Sequence, residues 1–427
     1  MKKYVQEATD INIWTSIKNN TFGRNKDIKE FIDGLELIDE SACISLDAKW
    51  GDGKTFFVRQ IEEVLKYVLV NQWADEENSI EKLLSYKYLK DNEMIAKMEL
   101  KHSYLPIYYN AWMYDNHSDP LMSLLLVMTK TCKGVYDTKI DSEKISKKLI
   151  EVVATLPISL GEFKANPFTA IEKLQGKSMD ILSLVQTEEE IRERVKGIFN
   201  DIIVERAQKL IIFIDELDRC SPDYAVRTLE VLKHFFDVSG FVFVLAIDEN
   251  HLENSVKCLF GTENFEGYKR KFINNTFLLP HPDKKAFAEF LYDKSGVDTI
   301  IKKIQEEKRE LVFLIDIYNV FYNSFSYSRY GDTQGEIEAK KYNTLQTSEN
   351  IIKRYFAAYS IWFNFSLRQM EQVFDRLVMF IKQIASGHEL FSPDLAVFLV
   401  CLHEFDVKVY NAMKVNKDPY GLSLIHI

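Results

Sequence analysis

The stretch Asp47-Ala-Lys-Trp-Gly-Asp-Gly-Lys-Thr55 constrains this chain more than any other. It follows a short apolar run, Cys43-Ile44-Ser45-Leu46. It precedes Phe57, Ile61, Val64, Leu65 and Val68, which recur at helical spacing. Strand, glycine turn, Lys-Thr and helix is the context in which a P-loop forms. The turn points main-chain N–H groups at an anion, and the helix N-terminus adds its positive end. In that geometry Lys54 reaches the β- and γ-phosphates of a nucleotide and Thr55 puts its hydroxyl on Mg²⁺. Trp50, Gly51, Asp52, Gly53 and Phe56 complete the expected binding stretch. The usual pattern has a first glycine where Ala48 stands, and a positive φ there would cost alanine more than glycine. An ordinary glycine-rich turn is the alternative reading.

A second run ends in acids: Leu210-Ile-Ile-Phe-Ile-Asp215-Glu216-Leu-Asp218-Arg219. A strand buried on both faces of a parallel sheet reads as a continuous apolar run. A carboxylate at its carboxyl end sits where α/β sheets bind ligands. Asp215 is placed to hold Mg²⁺ through water, and Glu216 to polarise an attacking water. Mg²⁺ takes few carboxylates and keeps several waters, so Asp215 with Thr55 is enough protein ligand. The alternative is a solvated strand end. Ser221-Pro222-Asp223 then opens a helix with Val226, Leu229, Leu232, Phe235 and Phe236 as its buried stripe. Gly240 ends it, and Phe241 to Asp248 reads as a further buried strand ending in an acid, Asp248, which either senses the γ-phosphate or caps the next helix.

Together these residues resemble the KAP family of P-loop NTPases. The resemblance rests on Trp50-Gly-Asp-Gly-Lys-Thr55, Tyr109-Asn110-Ala111-Trp112, Phe213 to Pro222, Val244 to Asp248, Tyr268 to Pro280, and Ser366-Leu-Arg368-Gln369, and covers roughly residues 20 to 380. It implies the additional-strand class of ATPases, ATP rather than GTP, Glu216 as catalytic base and Arg368 as an arginine from a helical part. Some bacterial members of the family are linked to exclusion of phage, and animal members are membrane scaffolds. Members often carry transmembrane helices between the two phosphate-site motifs. This chain has an insertion there, roughly 130 to 190. Its longest uncharged stretch, Val152 to Gly161, contains Pro157 and falls far short of the ~20 apolar residues that span a bilayer. Membrane association is therefore expected to be peripheral at most.

The 427 residues are 46% hydrophobic, which supports a large core, and low counts of Gly (16) and Pro (9) favour helices over loops. A net charge of −10 argues against generic nucleic-acid binding, which needs a basic footprint. The five cysteines show no metal or redox spacing and read as reduced thiols. Met1 to Asp10 is charged, with no apolar signal region, so a cytoplasmic location is expected.

The expected fold class is α/β: a P-loop parallel sheet sandwiched by helices, with helical insertions and a C-terminal α-helical domain. The expected domains are 1–282, with helical insertions at about 72–104 and 130–200, and 283–427. Thr21-Phe-Gly-Arg24 is read as opening a helix through Ile28, Phe31, Leu35 and Leu37. Ile80, Leu83 and Leu84 form one face of the first insertion, and Ile191, Val195, Ile198 and Ile202 lead into the acidic strand. Phe287, Phe290 and Leu291 begin the helical part. Phe313, Tyr318, Phe321, Tyr322 and Phe325 read as a core stripe, and Ser328 to Ser348 as a polar loop. Gly421 to Ile427 makes no evident element, which leaves room for a truncated C-terminal domain.

The leading expectation is an ATPase that couples nucleotide state to shape or assembly, as a homo-oligomer or with an unknown protein partner. Charge on the γ-phosphate calls for a further cation, for which Arg219, Arg270 and Arg368 are candidates, Arg368 in cis and the others across an oligomer. The alternatives are a nucleotide-gated binding or scaffold module with little turnover, and a small-molecule P-loop kinase.

Overall fold

The computed structural model describes residues 7–72, 84–117, 119–135, 193–194, 196–198, 200, 207–233, 239–261, 265–300, 352–386 and 393–415. Readings that fall on Ile80, Leu83, Ile191, Val195, Ile202, Phe235, Phe236, the aromatic stretch from 311 to 325, the polar run from 328 to 348, most of the second insertion and residues 421–427 lie outside them.

Four apolar runs and a short edge segment become strands of one sheet: β1 (Ala42–Asp47), β2 (Tyr104–Asn110), β3 (Lys209–Asp215), β4 (Phe241–Ile247) and, at the edge, β5 (Asn275–Leu278). Their order is β2-β3-β4-β1-β5, and every pairing is parallel. β3 and β4 are buried along their whole length. They are central strands with both faces covered, which is why their sequences do not alternate. β4 lies between β1 and the acidic strand β3, the additional-strand arrangement.

Helices cover both faces. Ile211, Phe213, Val242 and Val244 pack with α1 (Asp10–Lys18), α2 (Arg24–Glu36) and α3 (Lys54–Gln72). Two one-turn helices, α4 (Tyr86–Leu89) and α5 (Glu93–Ala96), close that layer. Ile212, Ile214, Phe243 and Leu245 pack with α6 (Pro120–Val135), α7 (Pro222–Lys233) and α8 (Glu249–Phe260), and α9 (Phe265–Lys269) follows. Inside this second layer the Tyr109 hydroxyl meets Ser123 Oγ at 2.9 Å and the Tyr224 hydroxyl at 2.6 Å, so strand β2 is pinned to α6 and α7 by satisfied polar groups. The helix expected from Thr21 is in fact a 3-10 turn, Thr21–Gly23, followed by α2. Leu37 falls just past the end of α2 and is 82% exposed, whereas Ile28, Phe31 and Leu35 are buried as expected. Leu84 is also exposed.

The buried side of α3 carries charge. The Trp14 indole N–H donates to Glu63 at 2.6 Å, and Arg59 bonds both Glu62 and Asp10. Burial pushes the Glu62 carboxyl up to about 7, with Arg59 pulling the other way. Between the ordinary glutamate value and about 7 the native state binds the extra proton. Stability is therefore highest below that ordinary value and falls as pH rises through the folded one. The Glu62→Gln variant should escape that loss, which is on the order of 3 kcal/mol. Its melting temperature relative to wild type should climb between about pH 5 and about pH 8, and a pH-independent difference would remove the argument.

By contacts the chain divides into two units. One is Ala8–Lys49 with Gly53–Pro280 and holds the sheet. The other is Met1–Glu7, Trp50–Asp52 and His281–Ile427. Among its described residues lie α10 (Lys284–Ser295), a helical stretch over 352–362, α11 (Leu367–Ser386), α12 (Pro393–Phe405) and α13 (Val407–Val415). Asp283 caps α10 by accepting from the Lys285 and Ala286 N–H groups. Phe287 and Leu291 face its core and Phe290 is half-buried.

Candidate functional site

Five parallel strands put their carboxyl ends along one edge, and the polar residues gather there. Asp47 ends β1, Asn110 ends β2, Asp215 ends β3 and Asp248 follows β4. In the sheet register Asn110 lies opposite Asp215.

The glycine loop runs from Asp47 to α3, whose first residue is Lys54. Gly51 and Gly53 have φ of 90° and 87°, and Ala48 is not among the positive-φ residues. The cost expected at Ala48 therefore does not arise. Ala48 instead prolongs the strand pairing, its N–H donating to Ile247 O at 3.3 Å. Gly51 is required twice over. Besides its φ, a Cβ there would sit 2.7 Å from Arg368 Cβ and 3.1 Å from Ser366 Oγ, and the Arg368 N–H donates to Gly51 O at 3.3 Å. In the same unit Asp52 is buried, with His281 Nδ1 at 3.8 Å, and Trp50 is 42% exposed.

Lys54 is buried, and its Nζ donates to Ala48 O at 2.6 Å and stands 3.8 Å from Asp218. Burial lowers its pKa, opposed by Asp218, Asp248, Asp215 and Asp47. The ammonium thus sits in a field made by four carboxylates, one of which, Asp218, also accepts the Asp248 N–H at 2.9 Å. Asp248 itself caps α8, accepting from the Asn250 N–H, which is the capping alternative read from the sequence.

Asp215 is 1% exposed. Burial pushes its carboxyl up to about 6, against hydrogen bonds from the Thr55 and Tyr108 hydroxyls and the Glu216 N–H. The Tyr108 O–H donates to Oδ2 at 2.9 Å and the Glu216 N–H to Oδ1 at 2.9 Å. Burial and the adjacent carboxylate raise the Tyr108 phenol, which keeps its proton for that bond.

Glu216 adopts the left-handed conformation, φ 58° and ψ 24°, which costs a non-glycine residue of order 1 kcal/mol or more. That turn brings its carboxylate to Asn110 Nδ2 at 3.2 Å and to Arg219 Nη2 at 3.1 Å. The Arg219 guanidinium lies 5.7 Å from the centroid of the Trp112 ring, which is 53% exposed. Arg219 is thus engaged with Glu216 within its own chain. Arg270 is exposed just past α9, Phe56 is half-buried on α3, and Arg368 is exposed at the start of α11.

Sequence reading brought Lys54, Thr55, Asp215 and Glu216 to the site but gave no role to Tyr108, Asn110 or Asp218. Asn110 lies inside the Tyr109-Asn-Ala-Trp112 motif, and Asp218 inside the acidic run, so the sequence carries a signal for both. Tyr108 had none.

A hydroxyl hydrogen-bonded to a buried carboxylate is a hard-oxygen pair of the kind that suits Mg²⁺ held mainly by water and phosphate oxygens. Among the described residues no group of three or more His, Cys, Asp or Glu side chains is arranged to hold a metal by itself. Among them, too, no helix is long and apolar enough to cross a membrane.

A parallel α/β sheet, a Lys-Thr glycine loop opening a helix, and an acidic pair on a strand one removed define a P-loop NTPase. The chain belongs to the KAP family: it matches the KAP family P-loop domain over residues 24–382. It is also 26% identical over 191 residues to an uncharacterized protein, MJ0182, of Methanocaldococcus jannaschii, an alignment that covers 38% of this chain and 96% of that one. Membership supports nucleotide binding.

Proposed function

We propose that this protein binds ATP with Mg²⁺ at the sheet tip and hydrolyses it, coupling nucleotide state to a change of shape or assembly. The observation that carries the reading is the convergence of Thr55, Asp215 and Glu216 on adjacent positions beside the buried Lys54 ammonium. Lys54 and the amides of the glycine turn grip the phosphates. Thr55 and Asp215 would hold hydrated Mg²⁺, which would supply positive charge against the phosphate oxygens. Glu216 accepts hydrogen bonds through its carboxylate and orients the attacking water. Arg219 pairs with Glu216, and Arg368 is taken as the further cation on the family resemblance alone. ATP as the nucleotide and phage exclusion as the process rest on the family resemblance. A cytoplasmic location, a homo-oligomer or further protein partner, and domains of 1–282 and 283–427 belong to the same proposal.

One observation favours the binding-module alternative: the Glu216 carboxylate is held by Asn110 and Arg219. A base so engaged has low activity until something draws those groups away. Phosphate release measured across protein concentration, with mass by light scattering on the same samples, separates the readings. Mg²⁺-dependent turnover is the expected result, and a rise in specific activity on assembly would show that assembly completes the site. ATP bound without turnover at any concentration would favour the module.

A further inference from the structure

The order of the sheet places β2 beside β3, in a register that sets Tyr108 opposite Phe213 and Asn110 opposite Asp215. Tyr108 is therefore two residues short of Asp215 along the strand direction, a gap of about 6.6 Å at the rise of a parallel strand. A tyrosine spans such a gap and still carries a donor at its tip, whereas a serine or threonine there would not reach. The hydroxyl arrives at Asp215 Oδ2 at 2.9 Å. The opposite oxygen, Oδ1, is taken by the Glu216 N–H at 2.9 Å. With a donor on each oxygen, and the Thr55 hydroxyl as a third donor to the same carboxylate, its plane is set.

The ring that delivers the hydroxyl is itself held. The Arg59 guanidinium stands over it, 4.8 Å from the centroid, and Arg59 is fixed by Glu62 and Asp10. Arg59 lies on α3, the helix that begins with Lys54 and Thr55. The phenol thus joins the helix that follows the phosphate loop to the acidic strand, through a ring contact at one end and a hydrogen bond at the other.

We propose that Tyr108 is a positioning residue for the metal: its hydroxyl fixes the Asp215 carboxylate in the orientation that receives hydrated Mg²⁺. This rests on the reading above that Asp215 orients the ion. A donor that orients a ligand carboxylate, without touching the metal, commonly changes metal affinity by 10–100-fold when it is removed. Its removal should leave the grip of Lys54 and the loop amides on the phosphates intact.

The test uses the full chain and a fluorescent ATP analogue, titrated with Mg²⁺ and, separately, in EDTA. The proteins are wild type, Tyr108→Phe, Asp215→Asn and the double variant. Tyr108→Phe keeps the ring under Arg59 and removes only the hydroxyl. We expect it to raise the Mg²⁺ concentration for half-maximal effect by about tenfold, with analogue affinity in EDTA unchanged. On the Asp215→Asn background it should add nothing, because coupled residues are not additive. If Asp215→Asn shifts the Mg²⁺ titration and Tyr108→Phe does not, or if the two shifts add, the inference is wrong. Equal loss of analogue affinity in EDTA and in Mg²⁺ would also overturn it, since that pattern marks a structural role alone. If Asp215→Asn leaves the Mg²⁺ titration where it was, the assignment of Asp215 fails first and the role of Tyr108 falls with it.

Discussion

Glu216→Gln should cut ATP turnover by at least 10²-fold while nucleotide affinity stays within about threefold of wild type, the range expected when a general base is lost and binding groups are kept. The exchange is nearly isosteric, so the left-handed turn at this position and the contact with Asn110 both tolerate it. It removes the negative charge that, in the proposed mechanism, orients the attacking water, and with it the ion pair to Arg219. Lys54, Thr55 and Asp215 are unaltered, so the phosphate grip survives. The measurement is single-turnover hydrolysis beside equilibrium binding on the same preparation. Retention of a tenth or more of the wild-type rate would move the base elsewhere, and Asp218, 3.8 Å from Lys54, would be the next residue to change.

Lys54→Ala should lower nucleotide affinity by two orders of magnitude or more, about 3 kcal/mol at the usual conversion, because charge-assisted bonds to phosphate are the strong ones. It should also lower the stability of the nucleotide-free protein. Asp218, Asp248, Asp215 and Asp47 all lie within the field of this ammonium, and removing one partner from a buried charge cluster is costly because the others remain. The two effects are read separately, by calorimetric titration and by thermal melting without nucleotide. Wild type should gain about 2.7 kcal/mol at a nucleotide concentration a hundredfold above its Kd, and the variant almost none. Unchanged affinity in a folded Lys54→Ala protein would remove the loop from the binding site.

The elements that sequence announces here are those whose reasons are local. β3 and β4 show as uninterrupted apolar runs because both faces of each are covered, so no position needs a polar side chain. The loop shows because its glycines, lysine and threonine are consecutive, and the backbone they demand, φ near 90° at Gly51 and Gly53, is a property of those residues. Leu37 departs from the helical expectation because spacing does not say where a helix stops; α2 ends one residue earlier and leaves that side chain in solvent. β5 is a different case: its residues are mostly exposed at the sheet edge, so it carries little apolar signal of its own.

The sequence by itself determined the Lys-Thr glycine loop, the acidic strand tip and the α/β class, since each depends on residues near one another in the chain. Only the tertiary structure decided which groups hold those residues. Asn110 reaches Glu216, and Tyr108 reaches Asp215, because β2 pairs with β3 in one register. Asp218 comes within 3.8 Å of Lys54 because the parallel strands that precede them flank β4 and end on one edge, and Gly51 has no room for a side chain because Arg368, far along the chain, lies against it. Strand order and register come from how whole faces are buried against one another. Side-chain alternation along a single strand specifies a face but not a neighbour.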